Sequence, residues 1–274
     1  MEDSPSRRPF ALANWKMAMT VSESLAFVSD FQIALADLAQ SVNIVLCPPF
    51  TALYPLSQAL TYTPIDVGAQ NLSAAPGKAH TGEISASLLA DAGCAWVMLG
   101  HWEIRRRTGE TDMHINRKMH AGFQAGVRPI ILIGERTGER GQAEEALVAR
   151  LPILFSGCEP GQTAQVAVVY EPEWTIGAQE PAPPDYIAAA CSFVRGWIGR
   201  EFGIDVAERV RIIYGGSVAP EHAPGLLASP DLDGLGAGRM GRDPVAFAEI
   251  VRLIAAAKGL ASSRCSPVHP SKDT

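Results

Sequence analysis

Three side chains in this 274-residue chain have types and positions suited to moving a proton beside a carbonyl group. Lys16, His101 and Glu171 each follow closely on a short apolar run that is rich in strand-forming residues. A lysine supplies positive charge, a neutral histidine donates a hydrogen bond, and a glutamate serves as a base. If the three apolar runs are neighbouring strands, these groups meet at one site. We therefore predict general acid–base chemistry there.

Two glycine-containing runs nearer the C-terminus are typical of phosphate binding. Tyr214–Val218 reads YGGSV, and Gly236–Arg239 reads GAGR. Small residues let backbone amides approach an anion closely, although tight turns alone also require glycine. The runs predict a small phosphorylated substrate.

Eight apolar runs predict strands, and longer stretches of helical period separate them. The predicted strands are Phe10–Ala13, Asn43–Cys47, Asp66–Ala69, Trp96–Leu99, Arg128–Ile133, Gln165–Tyr170, Arg211–Tyr214 and Asp233–Ala237. The predicted helices are Ser22–Leu38, Leu53–Leu60, Ser85–Ala92, Asp112–Ala125, Gln142–Leu151, Pro184–Phe202, Glu221–Ala228 and Pro244–Ala257.

This alternation predicts an α/β protein with a single (β/α)8 barrel, in which catalytic groups follow the C-terminal ends of the strands. A doubly wound open sheet is the competing architecture, but its G-x-G-x-x-G run does not follow the first predicted strand. We expect the barrel to span residues 10–260, with a flexible extension at 1–9 and a flexible tail at 261–274.

The composition excludes several classes of protein. With 23 basic and 29 acidic residues and a net charge of -6, the chain has no basic surface suited to nucleic acid. No run reaches the roughly 18 apolar residues of a membrane span. Five widely spaced cysteines without a C-x-x-C pair predict reduced thiols in a cytosolic protein and no metal site.

Eight ordered runs at the predicted strand ends make the chain similar to the triosephosphate isomerase family. They cover essentially all of residues 10–258 and are Asn14–Lys16, Gly68–Asn71, Thr81–Ser85, Leu99–His101, Ile133–Glu135, Tyr170–Pro172, Trp174–Gly177 and Tyr214–Val218.

The resemblance implies a role for each member of the predicted site. Glu171 would be the base that takes a proton from dihydroxyacetone phosphate and returns it to the neighbouring carbon. His101 would polarise the carbonyl as a neutral imidazole, and Lys16 would supply positive charge. Asn14 would be a further donor, and Glu103 would position Lys16 and His101. No metal or organic cofactor is implied.

The resemblance also implies a mobile lid, a phosphate site and a homodimer. The lid would span Pro172–Gln179 and include Trp174 and Ile176. Phosphate would bind Gly177, Ser217, Gly238 and Arg239, while Tyr214 and Ser217 would latch the closed lid. A loop reaching into the partner subunit would contain Gln70, Asn71, Thr81, Gly82 and Glu83.

Several positions depart from the family pattern. Trp102 replaces the usual serine, so we expect its ring near the Glu171 carboxylate, and Arg239 replaces a glycine. Glu173 puts a charge at a lid position that is more often apolar, and Glu110 is expected to pair with an arginine.

These departures leave a tetrulose-phosphate isomerase, acting on L-erythrulose 1-phosphate by the same chemistry, as an alternative. A catalytically silent barrel that binds a sugar phosphate is a third interpretation. The presence of Lys16, His101 and Glu171 together argues against that silent barrel.

Overall fold

A computed structural model describes residues 7–35, 38 and 40–260 of the chain. Eight parallel strands follow chain order around a closed barrel, and the last strand pairs with the first. The strands are β1 Phe10–Asn14, β2 Asn43–Cys47, β3 Ile65–Ala69, β4 Trp96–Leu99, β5 Arg128–Ile133, β6 Ala167–Tyr170, β7 Arg211–Tyr214 and β8 Gly234–Ala237. The predicted barrel is confirmed, and the open sheet is wrong.

Helices surround the barrel and connect successive strands. In the described part of the chain they are α1 Val21–Leu35, α2 Leu53–Leu60, α3 Ala86–Asp91, α4 Trp102–Thr108, α5 Asp112–Gln124, α6 Ala143–Leu154, α7 Pro160–Thr163, α8 Pro184–Phe202, α9 Ile204–Ala207, α10 Ala223–Leu226 and α11 Pro244–Ala257.

The predicted helices agree best with the structure where they are long and periodic. The bounds of α2, α8 and α11 match to the residue. The helix predicted over Ser22–Leu38 ends at Leu35, and residues 36, 37 and 39 lie outside the described part. The short helices α4, α7 and α9 were not predicted, because one or two turns carry too little hydrophobic period to be seen.

Side chains alternate between two cores along each strand. Leu12, Met98, Leu132 and Val169 fill the barrel interior, whereas their strand neighbours pack outward against the helices. A strand has a side-chain period of two, so the residue two positions past Val169 faces the inside of the barrel mouth. That residue is Glu171.

The expected flexible extension and tail fall largely outside the described residues, which omit 1–6 and 261–274. Both boundaries therefore stay predictions. No described helix is both long and apolar enough to cross a bilayer. The four described cysteines, Cys47, Cys94, Cys158 and Cys191, are free thiols.

Candidate active site

A cavity of about 270 Å³ opens at the C-terminal mouth of the barrel. It collects most of the predicted catalytic and phosphate-binding residues from five different strand ends, where barrel enzymes hold their active sites. Its lining includes Asn14, Lys16, His101, Glu103, Glu171, Ile176, Gly177, Ser217, Gly238 and Arg239. Gly215 and Gly236, from the two glycine-containing runs predicted to bind phosphate, also line it, and so does Arg242, which was not predicted.

Glu171 presents a buried carboxylate to this cavity. Its side chain is 9% exposed, and Oε2 lies 3.7 Å from Nε2 of His101. That oxygen has no hydrogen-bond partner among the described residues. Burial raises the pKa of Glu171 to about 8, although the Lys16 charge opposes the rise. A carboxylate held this way is a stronger base than an exposed one.

The backbone turn after β4 sets the orientation of His101. Gly100 has a φ of +85°, and a Cβ there would lie 2.9 Å from Ile115 and 3.1 Å from the Leu132 carbonyl oxygen. Only glycine fits this turn, which places His101 at the start of α4.

His101 is held as a neutral imidazole. Nδ1 accepts a hydrogen bond from the Glu103 backbone N–H at 3.2 Å. Burial and the nearby Lys16 charge lower the pKa of His101 to about 4. Because Nδ1 is an acceptor, the neutral ring carries its proton on Nε2, the nitrogen that faces Glu171.

Lys16 is held in a strained loop at the other side of the cavity. Its φ is +55°, a left-handed conformation that is uncommon for a residue with a side chain. Asn14 Oδ1 accepts from the Lys16 backbone N–H at 3.0 Å, and Gln70 donates to the Lys16 carbonyl at 2.8 Å. Nζ contacts Glu103 Oε1 at 2.6 Å. Partial burial of Glu103 opposes ionisation, but this ammonium keeps the pKa of Glu103 below its usual value.

The predicted phosphate end of the cavity joins directly to the predicted lid. Ser217 has a φ of +47°, and its Oγ lies 2.8 Å from the carbonyl oxygens of Thr175 and Ala178. Arg239 Nη2 donates to the same Ala178 carbonyl at 2.8 Å. Ser217 and Arg239 therefore both contact the lid, while Gly177 and Gly238 line the cavity.

The predicted lid is fastened to the barrel at its start and just past its end. At its start, Trp174 Nε1 donates to Glu135 Oε1 at 2.7 Å. Three residues past its end, the backbone N–H of Ala182 donates to Tyr214 Oη at 2.9 Å. Glu135 is fully buried and also accepts a hydrogen bond from Tyr170. Its IGE motif identified the family, but no local pattern showed that it holds the lid.

The predicted dimer loop divides into a half-buried stem and an exposed tip. Asn71 accepts a hydrogen bond from Lys118, whereas Thr81, Gly82 and Glu83 are exposed. The expected arginine partner of Glu110 is wrong, because Glu110 pairs with Lys118. A long-range contact of this kind leaves no trace in the local sequence.

Comparison with known proteins agrees with the fold and with the position of the cavity. The model of the family described as "Triosephosphate isomerase" matches residues 9–254. The triosephosphate isomerase of Symbiobacterium thermophilum is 42% identical over 254 residues, which cover 92% of this chain and 99% of that protein. The enzyme of Carboxydothermus hydrogenoformans is 39% identical, with 90% and 98% covered.

A solved structure is similar as well. The crystal structure of triosephosphate isomerase from Bartonella henselae superposes with a TM-score of 0.80 at 29% identity, covering 90% of this chain and 98% of that chain. The barrel, the family model and the relatives agree over nearly the whole described chain. The chain therefore belongs to the triosephosphate isomerase family, and it is an isomerase.

Proposed function

We propose that the chain interconverts dihydroxyacetone phosphate and D-glyceraldehyde 3-phosphate through a cis-enediol(ate), with Glu171 as the base. The observation that carries this proposal is the pairing of Glu171 and His101 across the cavity. The unpartnered Oε2 of Glu171 lies 3.7 Å from Nε2 of a neutral imidazole. A base and a hydrogen-bond donor facing each other suit proton transfer between adjacent carbons.

The steps assign one task to each group. Glu171 takes a proton from the hydroxymethyl carbon of dihydroxyacetone phosphate and returns it to the neighbouring carbon. His101 donates its Nε2 hydrogen bond to the carbonyl oxygen and moves protons between the two enediol oxygens. Lys16 stabilises the negative charge that develops on those oxygens, and Glu103 and Asn14 hold Lys16 in place.

The substrate phosphate would lie under the lid. Gly177, Ser217 and Gly238 line that end of the cavity, where their backbone amides would bind the phosphate, and Arg239 and Arg242 add positive charge. Closure of the lid excludes water and keeps the enediol phosphate from losing its phosphate group. The contact of Ser217 with the lid, and that of Tyr214 with Ala182 just past it, support a latch of this kind.

We also propose that two copies of the chain form a homodimer, as the family resemblance implies. The tip of the third loop, with Thr81, Gly82 and Glu83, is exposed in the single chain. Met17, next to Lys16, is 96% exposed. An apolar side chain beside a catalytic lysine and a protruding loop are surfaces that a second copy could cover.

The test compares turnover of the purified protein on D-glyceraldehyde 3-phosphate and on L-erythrulose 1-phosphate, with Glu171→Ala as the blank. We expect a strong preference for the triose phosphate and no turnover by the blank above background. Preference for the tetrulose would make this chain a tetrulose-phosphate isomerase. No turnover of either substrate, with tight binding of an enediolate analogue, would favour the silent barrel.

A further inference from the structure

Trp102 makes a contact with the base residue that the family resemblance did not predict. The ring lies buried at the start of α4, with 3% exposed. Its Nε1 donates a hydrogen bond of 2.8 Å to the main-chain carbonyl oxygen of Glu171. We expected the ring near the Glu171 carboxylate, and the structure shows that its N–H binds the Glu171 main chain. The indole fixes the backbone and leaves Oε2 of the carboxylate without a partner.

The Glu171 backbone is held on the other sides as well. Its N–H donates to the Ile133 carbonyl at 2.8 Å. Gly134 packs against the Glu171 carbonyl so closely that a Cβ at position 134 would lie 2.5 Å from that oxygen. A movement of the carbonyl therefore breaks the Trp102 bond on one side or collides with Gly134 on the other.

The Trp102 ring is itself held in place by two arginines. The guanidinium carbons of Arg105 and Arg150 lie 5.3 and 5.0 Å from the ring centre. Arg105 also donates to the Gly100 carbonyl at 2.7 Å and to Asp112 at 2.6 Å. A donor whose ring is held by two guanidinium groups loses little conformational freedom when it forms its hydrogen bond.

Pro172, the first residue of the lid, follows Glu171 directly, so the clamped carbonyl lies between the base and the lid. We propose that Trp102 is a positioning residue, whose N–H fixes the Glu171 backbone, aims the carboxylate at the substrate and anchors the first hinge of the lid. This proposal rests on the proposed role of Glu171 as the base. Small displacements of a catalytic group reduce turnover strongly, which makes such a clamp measurable.

The experiment compares Trp102→Phe with Trp96→Phe. Trp96 lies at the opposite end of β4 and also donates one indole hydrogen bond, to Asp66 Oδ2 at 2.8 Å. It also carries an arginine against its ring, Arg128 at 3.9 Å. Each variant therefore loses one N–H donor and keeps an aromatic ring, but only Trp102→Phe touches the base.

We expect Trp102→Phe to lower kcat about tenfold, the upper range for one buried hydrogen bond, and to change KM by less than about threefold. The ratio of inorganic phosphate released to triose phosphate isomerised should rise, because a looser hinge exposes the enediol. Trp96→Phe should leave kcat and this ratio at wild-type values, even if it unfolds at a lower temperature.

A double variant with Glu171 distinguishes a positioning role of Trp102 from a role in packing alone. In Glu171→Asp the shorter side chain already misplaces the carboxylate, so adding Trp102→Phe should lower kcat by less than about threefold. If the kcat losses of the two single variants multiply in the double variant, the proposal is overturned. An unchanged kcat in Trp102→Phe would overturn it as well. Should Trp102→Phe not fold, Gly134→Ala pushes on the same carbonyl and decides: lowered kcat supports the clamp, and wild-type kcat overturns it.

The same set of variants distinguishes failure of this proposal from failure of the proposed function. Wild-type turnover in Glu171→Asp would remove Glu171 as the base. Slow turnover in Glu171→Asp beside normal turnover in Trp102→Phe and Gly134→Ala would overturn the positioning role alone.

Discussion

Two buried carboxylates at opposite ends of the barrel have opposite surroundings. Asp233, directly before β8, is 3% exposed and accepts hydrogen bonds from Arg7, Arg195 and the Ile212 backbone N–H, each at 2.7 Å. Glu171, directly after β6, is 7% exposed, and its Oε2 has no hydrogen-bond partner among the described residues. The two carboxylates are similarly buried, but hydrogen bonds replace the lost water at Asp233 and almost none do so at Glu171.

The difference separates what stabilises the barrel from what reacts. A buried charge is unfavourable unless partners replace the water it loses. At Asp233 two guanidinium groups supply that replacement and fasten the N-terminal segment and α8 to the barrel. At Glu171 the buried carboxylate lacks such partners. The ionised form is therefore destabilised, and the pKa of the carboxylate is raised, so it binds a proton more readily.

The largest expected effect comes from a substitution at Glu171, at the C-terminal mouth of the barrel. Glu171→Gln should lower kcat about a thousandfold, within the usual range for a lost general base. It should not lower the free energy of unfolding, because an amide is easier to bury than an unpaired carboxylate. Initial rates with D-glyceraldehyde 3-phosphate and urea unfolding test both halves. A rate within tenfold of wild type would remove Glu171 as the base.

The second prediction also replaces a carboxylate with an amide, but at Asp233, at the opposite end of the barrel. Asp233→Asn should lower the free energy of unfolding by about 3 kcal/mol, because the buried Arg195 loses its shorter ion pair and keeps only the one with Asp231. The kcat should stay at its wild-type value. Urea unfolding and initial rates are the measurements.

The matched control for Asp233→Asn is Glu208→Gln, which removes the exposed partner of Arg7. That change should lower the free energy of unfolding by less than about 1 kcal/mol, the usual limit for a surface ion pair. Equal losses in the two variants would contradict the assignment of stability to the buried carboxylate.

The third prediction concerns how the free energy of unfolding depends on pH, because Glu171 is buried without partners for its charge. Burial raises the pKa of Glu171 to about 8, so the folded chain retains a proton at pH values where the unfolded chain has lost it. The wild-type free energy of unfolding therefore falls as pH rises toward 8, whereas Glu171→Gln does not show this loss. The advantage of Glu171→Gln should grow by about 1 kcal/mol between pH 7 and pH 8.

That pH range avoids the titration of His101. Burial and Lys16 lower the pKa of His101 to about 4, so its contribution changes only at lower pH. Urea unfolding of both proteins at pH 7 and pH 8 gives the difference. A constant advantage across this range would mean that Glu171 ionises as an ordinary carboxylate in the folded chain.

The reactive end was easier to predict from sequence than the stabilising end, for a physical reason. Strand alternation alone places Asn14 and Glu171 inside the mouth, since Leu12 and Val169 two positions earlier face the barrel interior. Glycines mark the turn at Gly100, and the order of motifs identifies the family. These signals are local, and the closed barrel brings them together.

The partners of each group could not be predicted, because they depend on contacts between distant parts of the chain. Asp233 meets Arg7 across 226 positions, and Trp102 meets Glu171 across 69. Nothing local to Trp102 indicates whether its N–H reaches a carboxylate or a carbonyl. Sequence therefore indicates the groups proposed to react, whereas the side chains that hold them are seen only in the folded chain.

The last and smallest expected effect sharpens the comparison at the lid, where Arg239 replaces a glycine usual in the family. Its guanidinium donates to the Ala178 carbonyl from an exposed position, so water competes for the bond. Arg239→Ala should raise KM about threefold and also raise the fraction of turnovers that release inorganic phosphate. Ser217→Ala removes the neighbouring hydroxyl from the same carbonyl, so the two losses should not multiply. A raised KM with no added phosphate release would instead place the guanidinium on the substrate phosphate.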